Sequence, residues 1–477
     1  MLRSLLKLVS LMLLLIVGVS PLGSKAGQAA GTERAARGVV PLDSYAVYLP
    51  FMTSVQQRSS VFGVEINGGQ VANTVQRAAD ANVSWVRYNN ITWSAVENVR
   101  GSRNWAAVSG AEAELVALVN HGTQPILTIT GTPPWAQQVP GSGCGPINPS
   151  AQAAFASFMH DLVARYSAPP FNIRYYEIWN EPDAPIVVNN QVWGCWGDST
   201  DAYYGGGKFG DILKVLYPAI KAANPAAQVV LGGLLLGCDP SNPPAGNDCT
   251  SGKFLEGILR DGAGNAFDLL AYHAYNAWAP QQADWDLTAP NWNQRGGSLV
   301  GKLSLVRGVL QQYGVTNKPI IMDEGGLLYY GDAAGAGNTT YYADEANYVV
   351  RLYTRSWANG LVGAVWFTLN GPGWHNAGLL DANQQPRPAY TTFKFLSTQL
   401  QNATYAGPLS TGNVEGYAFH KSGVTYQVYW TNDSSTAQLT LPTGTQAVYD
   451  LAGNAVTPAG TTITVSFTPI IIAMSAP

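Results

Sequence analysis

Charge is scarce in this chain. Of its 477 residues only 12% are Asp, Glu, Lys or Arg, and the formal net charge is −4. No basic run occurs beyond the N-terminus, which argues against nucleic acid as a partner, since that needs a positive footprint. After the first 26 residues no second long apolar run occurs, so nothing further along reads as a membrane span. Cysteine is limited to Cys144, Cys195, Cys238 and Cys249, and no CxxC or HExxH spacing supports the competing reading of a zinc site. Solenoid repeats are absent, as is any low-complexity block beyond the N-terminal linker.

Apolar and aromatic residues are plentiful. Hydrophobic residues make up 46%, with Trp 14 and Tyr 24, beside Gly 51 and Pro 29. That suffices for one large core and a smaller unit, joined by many loops. Low charge with many Tyr and Trp suits an exported protein that handles neutral polymers.

The chain opens MLRSLLKLVSLMLLLIVGVSPLGSKA. Arg3 and Lys7 precede an apolar stretch from Leu8 to Val19, and Ser24 and Ala26 are spaced for cleavage. Residues 1–26 therefore read as a secretory signal peptide cleaved near Ala26, giving a secreted protein with no stable membrane insertion after processing. An uncleaved anchor is the other reading. Residues 27–55 read as a linker in which Tyr45–Met52 is a possible stray strand. In an exported chain an even cysteine count suggests disulfides. Cys238 and Cys249 flank a Pro/Asn/Gly loop and are expected to pair locally, leaving Cys144 for Cys195.

From residue 61 short β-rich runs alternate with helix-like stretches. The runs are 61–66, 83–89, 125–131, 173–180, 228–234, 267–275, 319–324 and 362–370. Helical stretches are expected at 71–81, 111–121, 151–166, 209–223, 299–313, 343–359 and 388–400. Near-continuous apolar strands alternating with helices imply a parallel sheet buried on both faces. Eight such units over residues 56–400 predict an α/β fold, a (β/α)8 TIM barrel. An open doubly wound sheet is the rival, but its first turn would carry GxGxxG, and here it reads EINGGQ. After Leu400 alternating runs at 414–420, 423–431, 437–441, 446–449, 461–467 and 469–475 are separated by turn signals. They predict a C-terminal antiparallel β-sandwich domain over 401–477.

The fourth run, IRYYEIWNEPD, ends abruptly at Asn180-Glu181-Pro182. Pro has no N–H to give the ladder and restricts its predecessor, so it stops the strand. That leaves Glu181 at the C-terminal end of a buried strand, where barrels do their chemistry. The seventh run, IIMDEGG, ends in Glu324. Arg87 and Asn89 stand on the second, His273 and Tyr275 on the sixth and Trp366 on the eighth, while the third leads into Thr132-Pro133-Pro134-Trp135. Two carboxylates facing each other across one mouth suit glycoside hydrolysis, one donating a proton and the other attacking the anomeric carbon. Arg87 and Tyr275 suit a charged carboxylate as neighbours, Asn180 suits a sugar hydroxyl, and Trp366 offers a face for a sugar ring.

On these residues the chain resembles the retaining glycoside hydrolases of clan A, whose acid/base Glu ends strand four and whose nucleophile Glu ends strand seven. The resemblance covers the barrel. EIWNEPD and the trailing sandwich most resemble family 39, which includes β-xylosidases and α-iduronidases, and its bacterial relatives. It implies Glu181 as acid/base and Glu324 as nucleophile, with Asn180, Arg87, His273, Tyr275 and Trp366 lining the reacting subsite. It also implies double displacement with carboxyls about 5–5.5 Å apart and no metal or organic cofactor. Trp135 counts among the expected substrate contacts, and Trp193, Trp196, Trp278, Trp292, Trp374 and His375 lie in nearby loops. Many clan members carry a His at the third strand's end, whereas this chain has Thr128, Thr130 and Thr132.

Glu65 and Glu177 are expected to partner Arg, Lys or Tyr, Glu177 pointing inward like Glu181. Asp323 is expected to face the helices, opposite to Glu324. Asn90, Asn338, Asn402 and Asn432 begin glycosylation sequons. Two alternatives stay open: a transglycosylase using the same pair, and a non-catalytic carbohydrate-binding or cell-surface protein on the same fold.

Overall fold

The computed structural model describes residues 60–67, 73–189, 194–280, 283–331 and 339–475. The expected signal peptide, the linker with its Tyr45–Met52 segment, Trp193 and Asn338 lie outside them.

Eight parallel strands close into a barrel: β1 Phe62–Ile66, β2 Trp85–Tyr88, β3 Gln124–Ile129, β4 Tyr175–Ile178, β5 Gln228–Leu234, β6 Leu269–Ala277, β7 Ile320–Leu328 and β8 Ala364–Trp366. Helices follow them in turn: α1 Thr74–Asp80, α2 Ser109–Asn120, α3 Gln152–Ser167, α4 Gly206–Ala223, α5 Phe254–Arg260, α6 Ser298–Gln312, α7 Thr339–Ala358 and α8 Pro388–Leu400. This is the expected TIM barrel. The α5 helix was not anticipated, because its short FLEGILR run carries little periodic signal.

The strands alternate between two cores. One set of side chains packs outward against the helices. The inward set, Trp85, Ile126, Val230, Leu269, Ala271, Ile321 and Val365, forms a separate apolar plug inside the barrel. The plug closes the barrel below the polar side chains one step further along the strands.

Two register shifts disturb this alternation on either side of β6. On β5, Leu231 pairs with Leu270 but Leu234 with Tyr272, so Gly232 and Gly233 include one extra residue. On β7, Met322 pairs with Tyr272 but Glu324 with His273, which leaves Asp323 as the extra residue. Each is a β-bulge, the usual device for re-aiming side chains at a barrel rim.

The C-terminal region forms the expected antiparallel sandwich. Strands β9 Thr404–Pro408, β10 Val414–Lys421, β11 Val424–Thr431, β13 Thr445–Tyr449 and β15 Ile470–Ser475 make a five-stranded sheet in the order β13-β15-β11-β10-β9. β12 Ala437–Thr440 pairs with β14 Thr462–Val465. A buried ion network joins this region to the barrel. Arg355 bonds Glu415 of β10 at 2.6 Å and Asp284 of the loop after β6 at 2.8 Å. Arg351 bonds Asp284 at 3.0 Å and donates to the Phe467 carbonyl at 2.6 Å. Asp284 sits deep yet is held down to about 2 by the two guanidiniums, against the pull of burial.

Both expected disulfides are present: Cys144–Cys195 joins the loops after β3 and β4, and Cys238–Cys249 closes the loop after β5. They span 51 and 11 residues. Because the loop-entropy cost grows with span, removing the first by Cys144→Ser/Cys195→Ser is expected to cost about 4 kcal/mol, and removing the second about 3 kcal/mol. Urea unfolding of the two double variants checks this ordering. Among the described residues no helix is long and apolar enough to cross a membrane.

Candidate active site

At the C-terminal rim Arg87 is the hub. Its side chain is fully buried and faces five acceptor groups from three strands and the turn after β4. Nη1 donates to Glu65 Oε2 at 2.8 Å and to Glu324 Oε2 at 2.6 Å. Nε and Nη2 grip Glu177 at 2.8 and 2.9 Å, and Nη2 reaches Asn180 Oδ1 at 2.6 Å. Nε also lies 3.3 Å from Asp323 Oδ2. A guanidinium presents donors in a rigid fork, so this one group fixes several carboxyls at once. Thr128 donates to Glu177 at 2.6 Å, and Asn89 to Glu65 at 2.9 Å. Thr128 thus serves the hub from the third strand.

Glu181 does not lie on the strand itself. β4 ends at Ile178, and Trp179 and Glu181 both take positive φ, 73° and 44°. Such a conformation costs a non-glycine residue roughly 1–3 kcal/mol and persists only where neighbours enforce it. Here the Trp179 indole donates to the Cys144 carbonyl at 2.8 Å, and the Glu181 N–H donates to the Gly233 carbonyl at 3.0 Å. The Trp196 N–H beside the disulfide donates to the Pro182 carbonyl at 2.9 Å. The turn brings the Glu181 carboxyl to His273, with Oε1 2.9 Å from Nδ1.

Both Glu324 oxygens act as acceptors, Oε1 from the Tyr275 hydroxyl and Oε2 from Arg87. One oxygen of Glu181, one of Glu324 and one ring nitrogen of His273 all lie within 4.8 Å of one another. That set has enough donors for a divalent ion, but the Arg87 guanidinium already covers one side of Glu324.

Burial sets the proton affinities. Glu181 keeps only 12% of its side-chain surface. Desolvation pushes its carboxyl up to about 7, against the smaller pull of Arg87 and Lys302. Glu65 rises to about 8 and Asp323 well above the carboxylate range, both by burial. Burial would also raise Glu177, but Arg87 together with the hydrogen bonds from Thr128 and Asp323 outweighs it and holds that group low. Burial drops the His273 imidazole to about 4, so the ring is neutral near pH 7.

The structure thus brings together Arg87, Asn180, Glu181, His273, Tyr275 and Glu324. It corrects Trp366, which follows inward Val365 and so points outward. Its indole is fully buried, packs on Tyr348 of α7 and donates to the Ala377 carbonyl at 2.7 Å. The next residue, Phe367, instead meets Tyr275 edge-on at 6.1 Å. Trp135 instead donates to the Glu97 carbonyl at 3.1 Å, packs edge-on to Trp93 and lies under Arg100. Asp323 is also corrected: it faces Arg87 and His273, not the helices, because the bulge turns two consecutive β7 residues inward. Trp374 packs edge-on to Tyr275 at 5.5 Å. Beyond it His375 lies at 4.7 Å, and Tyr330, 45% exposed, stands 4.2 Å from His375.

No family model matches the chain, and no curated protein does. Solved structures do. A family 39 glycoside hydrolase from Bacteroides cellulosilyticus WH2 is similar with a TM-score of 0.66 at 18% identity, over 88% of this chain and 82% of that one. A monomeric β-xylosidase from Caulobacter crescentus CB15 is similar with a TM-score of 0.55 at 14% identity, over 87% and 96%. A family 30 subfamily 8 xylanase from Clostridium acetobutylicum gives 0.56 at 14% identity, over 87% and 96%. At such identities the likeness concerns the fold.

Proposed function

We propose that this chain is a secreted retaining glycoside hydrolase that cleaves neutral β-linked oligo- or polysaccharides by double displacement. The observation that carries the proposal is the pair itself. Glu181 follows β4 and Glu324 stands on β7 at one rim, with one oxygen of each carboxyl within 4.8 Å of the other. A gap of about 5–5.5 Å between carboxyls lets one attack directly, whereas inversion needs about 6.5–9.5 Å to admit a water.

Glu324 attacks the anomeric carbon while Arg87 and Tyr275 hold its two oxygens in place. Glu181, protonated through burial, gives its proton to the leaving oxygen, and a glycosyl ester forms on Glu324. The Glu181 carboxylate then takes a proton from water, which attacks the ester and restores the starting anomeric configuration. Asn180, oriented by Arg87, is placed to bond a sugar hydroxyl beside the reacting carbon. Trp374 and Tyr330 form an aromatic wall leading away from Tyr275, suited to C–H stacking of a further ring.

Neutral substrates are favoured because the two cations acting on Glu181 are already engaged by protein acceptors. Arg87 is saturated by carboxyls, and Lys302 donates to the Leu235 and His273 carbonyls at 2.6 and 2.9 Å. The β-xylosidase and xylanase among the similar structures make β-xylosides the first substrates to try. Two disulfides support export, with a leader at 1–26, a linker at 27–55, the barrel at 56–400 and the sandwich at 401–477.

The test is a panel of 4-nitrophenyl β-glycosides and xylan, with the first-formed sugar followed by proton NMR. The expected product retains the β-configuration. An initial α-anomer, or no hydrolysis across the panel, would refute the reading. The kcat/KM profile should fall on the basic side near pH 7, because the protonated fraction of Glu181 drops as pH rises through about 7.

A further inference from the structure

One buried carboxyl has no place in the steps above. Asp323 is completely inaccessible; its Oδ2 lies 3.3 Å from Arg87 Nε, and its Oδ1 has no hydrogen-bond partner among the described residues. The same holds for Nε2 of His273. Yet Asp323 Oδ1 lies only 3.5 Å from that nitrogen. Space for the pair is kept by Gly233, where a Cβ would fall 2.0 Å from His273 Nε2 and 2.8 Å from Asp323 Oδ1. Bulges on β5 and β7 place Gly233 and Asp323 on either side of His273.

We propose that Asp323 is a positioning residue that acts through His273, accepting from Nε2–H so that Nδ1 stays bare and Glu181 must present a proton to it. The inference rests on the catalytic reading of Glu181. Two acceptors face Nε2, Asp323 Oδ1 at 3.5 Å and Glu324 Oε2 at 3.6 Å, and the second already receives Arg87. Asp323 accepts there through Oδ1, which keeps its acceptor lone pairs when the other oxygen carries a proton. Its carboxyl meets that of Glu177, a contact that needs a proton between them, and burial keeps the proton on Asp323. With Nε2 protonated, the lone pair of Nδ1 points at Glu181 Oε1, 2.9 Å away. A protonated Glu181 donates to it, whereas an ionised Glu181 meets a bare lone pair. The charged form is disfavoured, which strengthens Glu181 as a base once its proton has gone to the leaving group.

The other charged and titratable groups around the pair are Glu65 on β1, Arg87 on β2, Glu177 on β4, Asp183 after β4, Tyr272 and Tyr275 on β6, Lys302 on α6 and Glu324 on β7. Of these, Glu324 brings Oε2 to 3.6 Å from Nε2.

The experiment compares wild type, Asp323→Asn and Asp323→Leu in the full chain. Asn copies a protonated Asp, since its NH2 donates to Glu177 while its oxygen accepts from Nε2–H. Leu does neither. The readout independent of turnover is the His273 tautomer, seen by 15N NMR of histidine-labelled protein and assigned with His273→Gln. Wild type and Asp323→Asn are expected to show Nε2–H, and Asp323→Leu a shift towards Nδ1–H. With 4-nitrophenyl β-D-xyloside, Asp323→Leu should move the basic limb of kcat/KM down by about one pH unit, because Nδ1–H then stabilises ionised Glu181. Asp323→Asn should leave the limb in place. Loss of packing alone would lower stability and rate without moving the limb or the tautomer. Nδ1–H in the wild type, an unmoved tautomer in Asp323→Leu, or a limb that moves equally in both variants would overturn the inference. Asp323→Ser, too short to reach Nε2, replaces the Leu variant if that does not fold. Absence of wild-type turnover would strike the catalytic reading instead and leave the tautomer result to stand or fall separately.

Discussion

Glu324→Gln is expected to abolish hydrolysis of aryl β-glycosides, lowering kcat by roughly 10^4-fold or more, while the protein stays folded. The amide is nearly isosteric but cannot attack an anomeric carbon, and loss of a covalent nucleophile is among the costliest single changes an enzyme can suffer. Folding should survive because Arg87 keeps Glu65, Glu177 and Asn180 as partners when the charge on Glu324 is removed. The Gln oxygen can still accept from Tyr275 or Arg87. Retained turnover with an unchanged unfolding midpoint would remove Glu324 from the nucleophile role. A variant that is inactive because it is unfolded would show in the midpoint itself.

The second large effect concerns Glu181→Ala. General acid catalysis contributes roughly 10^2–10^4-fold, and its weight depends on how much help the leaving group needs. A 2,4-dinitrophenyl glycoside departs without protonation, so its first step should be nearly spared. For a phenyl glycoside the loss should approach the upper end of that range. The ester on Glu324 would then accumulate with the activated substrate, since no base remains to activate water. Azide, which needs no base, should enter the space left by the carboxyl and release a β-glycosyl azide. Equal losses on both substrates would mean that Glu181 is not the proton donor. Because its turn is held through Gly233, Cys144 and Trp196, truncation at Cβ removes the carboxyl and leaves the backbone bonds in place.

Both effects depend on the two carboxyls meeting different surroundings. Glu181 is held near 7 by desolvation, while Glu324 shares the far side of the rim with a guanidinium and a phenol. One fold thus gives two chemically identical groups different environments, as acid/base pairs require. The C-terminal sandwich bears on this rim indirectly. Asn276, next to Tyr275, accepts from the Tyr348 hydroxyl at 2.6 Å, and Asp284 and Asp286 of the following loop are tied to Arg355, which bonds Glu415 of β10.

Much of this was readable in the sequence. Eight apolar runs alternating with helical stretches determined the barrel, because strands buried on both faces leave an unbroken apolar signature. Pro182 marked the end of the fourth run and so placed Glu181 at the rim, although β4 itself stops earlier, at Ile178. The cysteines, two of them flanking a short Pro/Asn/Gly loop, were enough to pair them. Tertiary structure decided the rest. Alternation along a strand is a local rule, and a bulge breaks it only where a neighbouring strand fixes the register. Hence Asp323 and Glu324 both face inward, which no period-two reading allows. Trp366 looked like a sugar platform by type and place. Its direction was set by Val365, whose inward position follows from barrel closure against β1 and β7. The positive φ of Glu181 is likewise imposed from outside, by a carbonyl on β5. The sequence by itself determined which residues reach the rim; only packing between strands decided which way each one points.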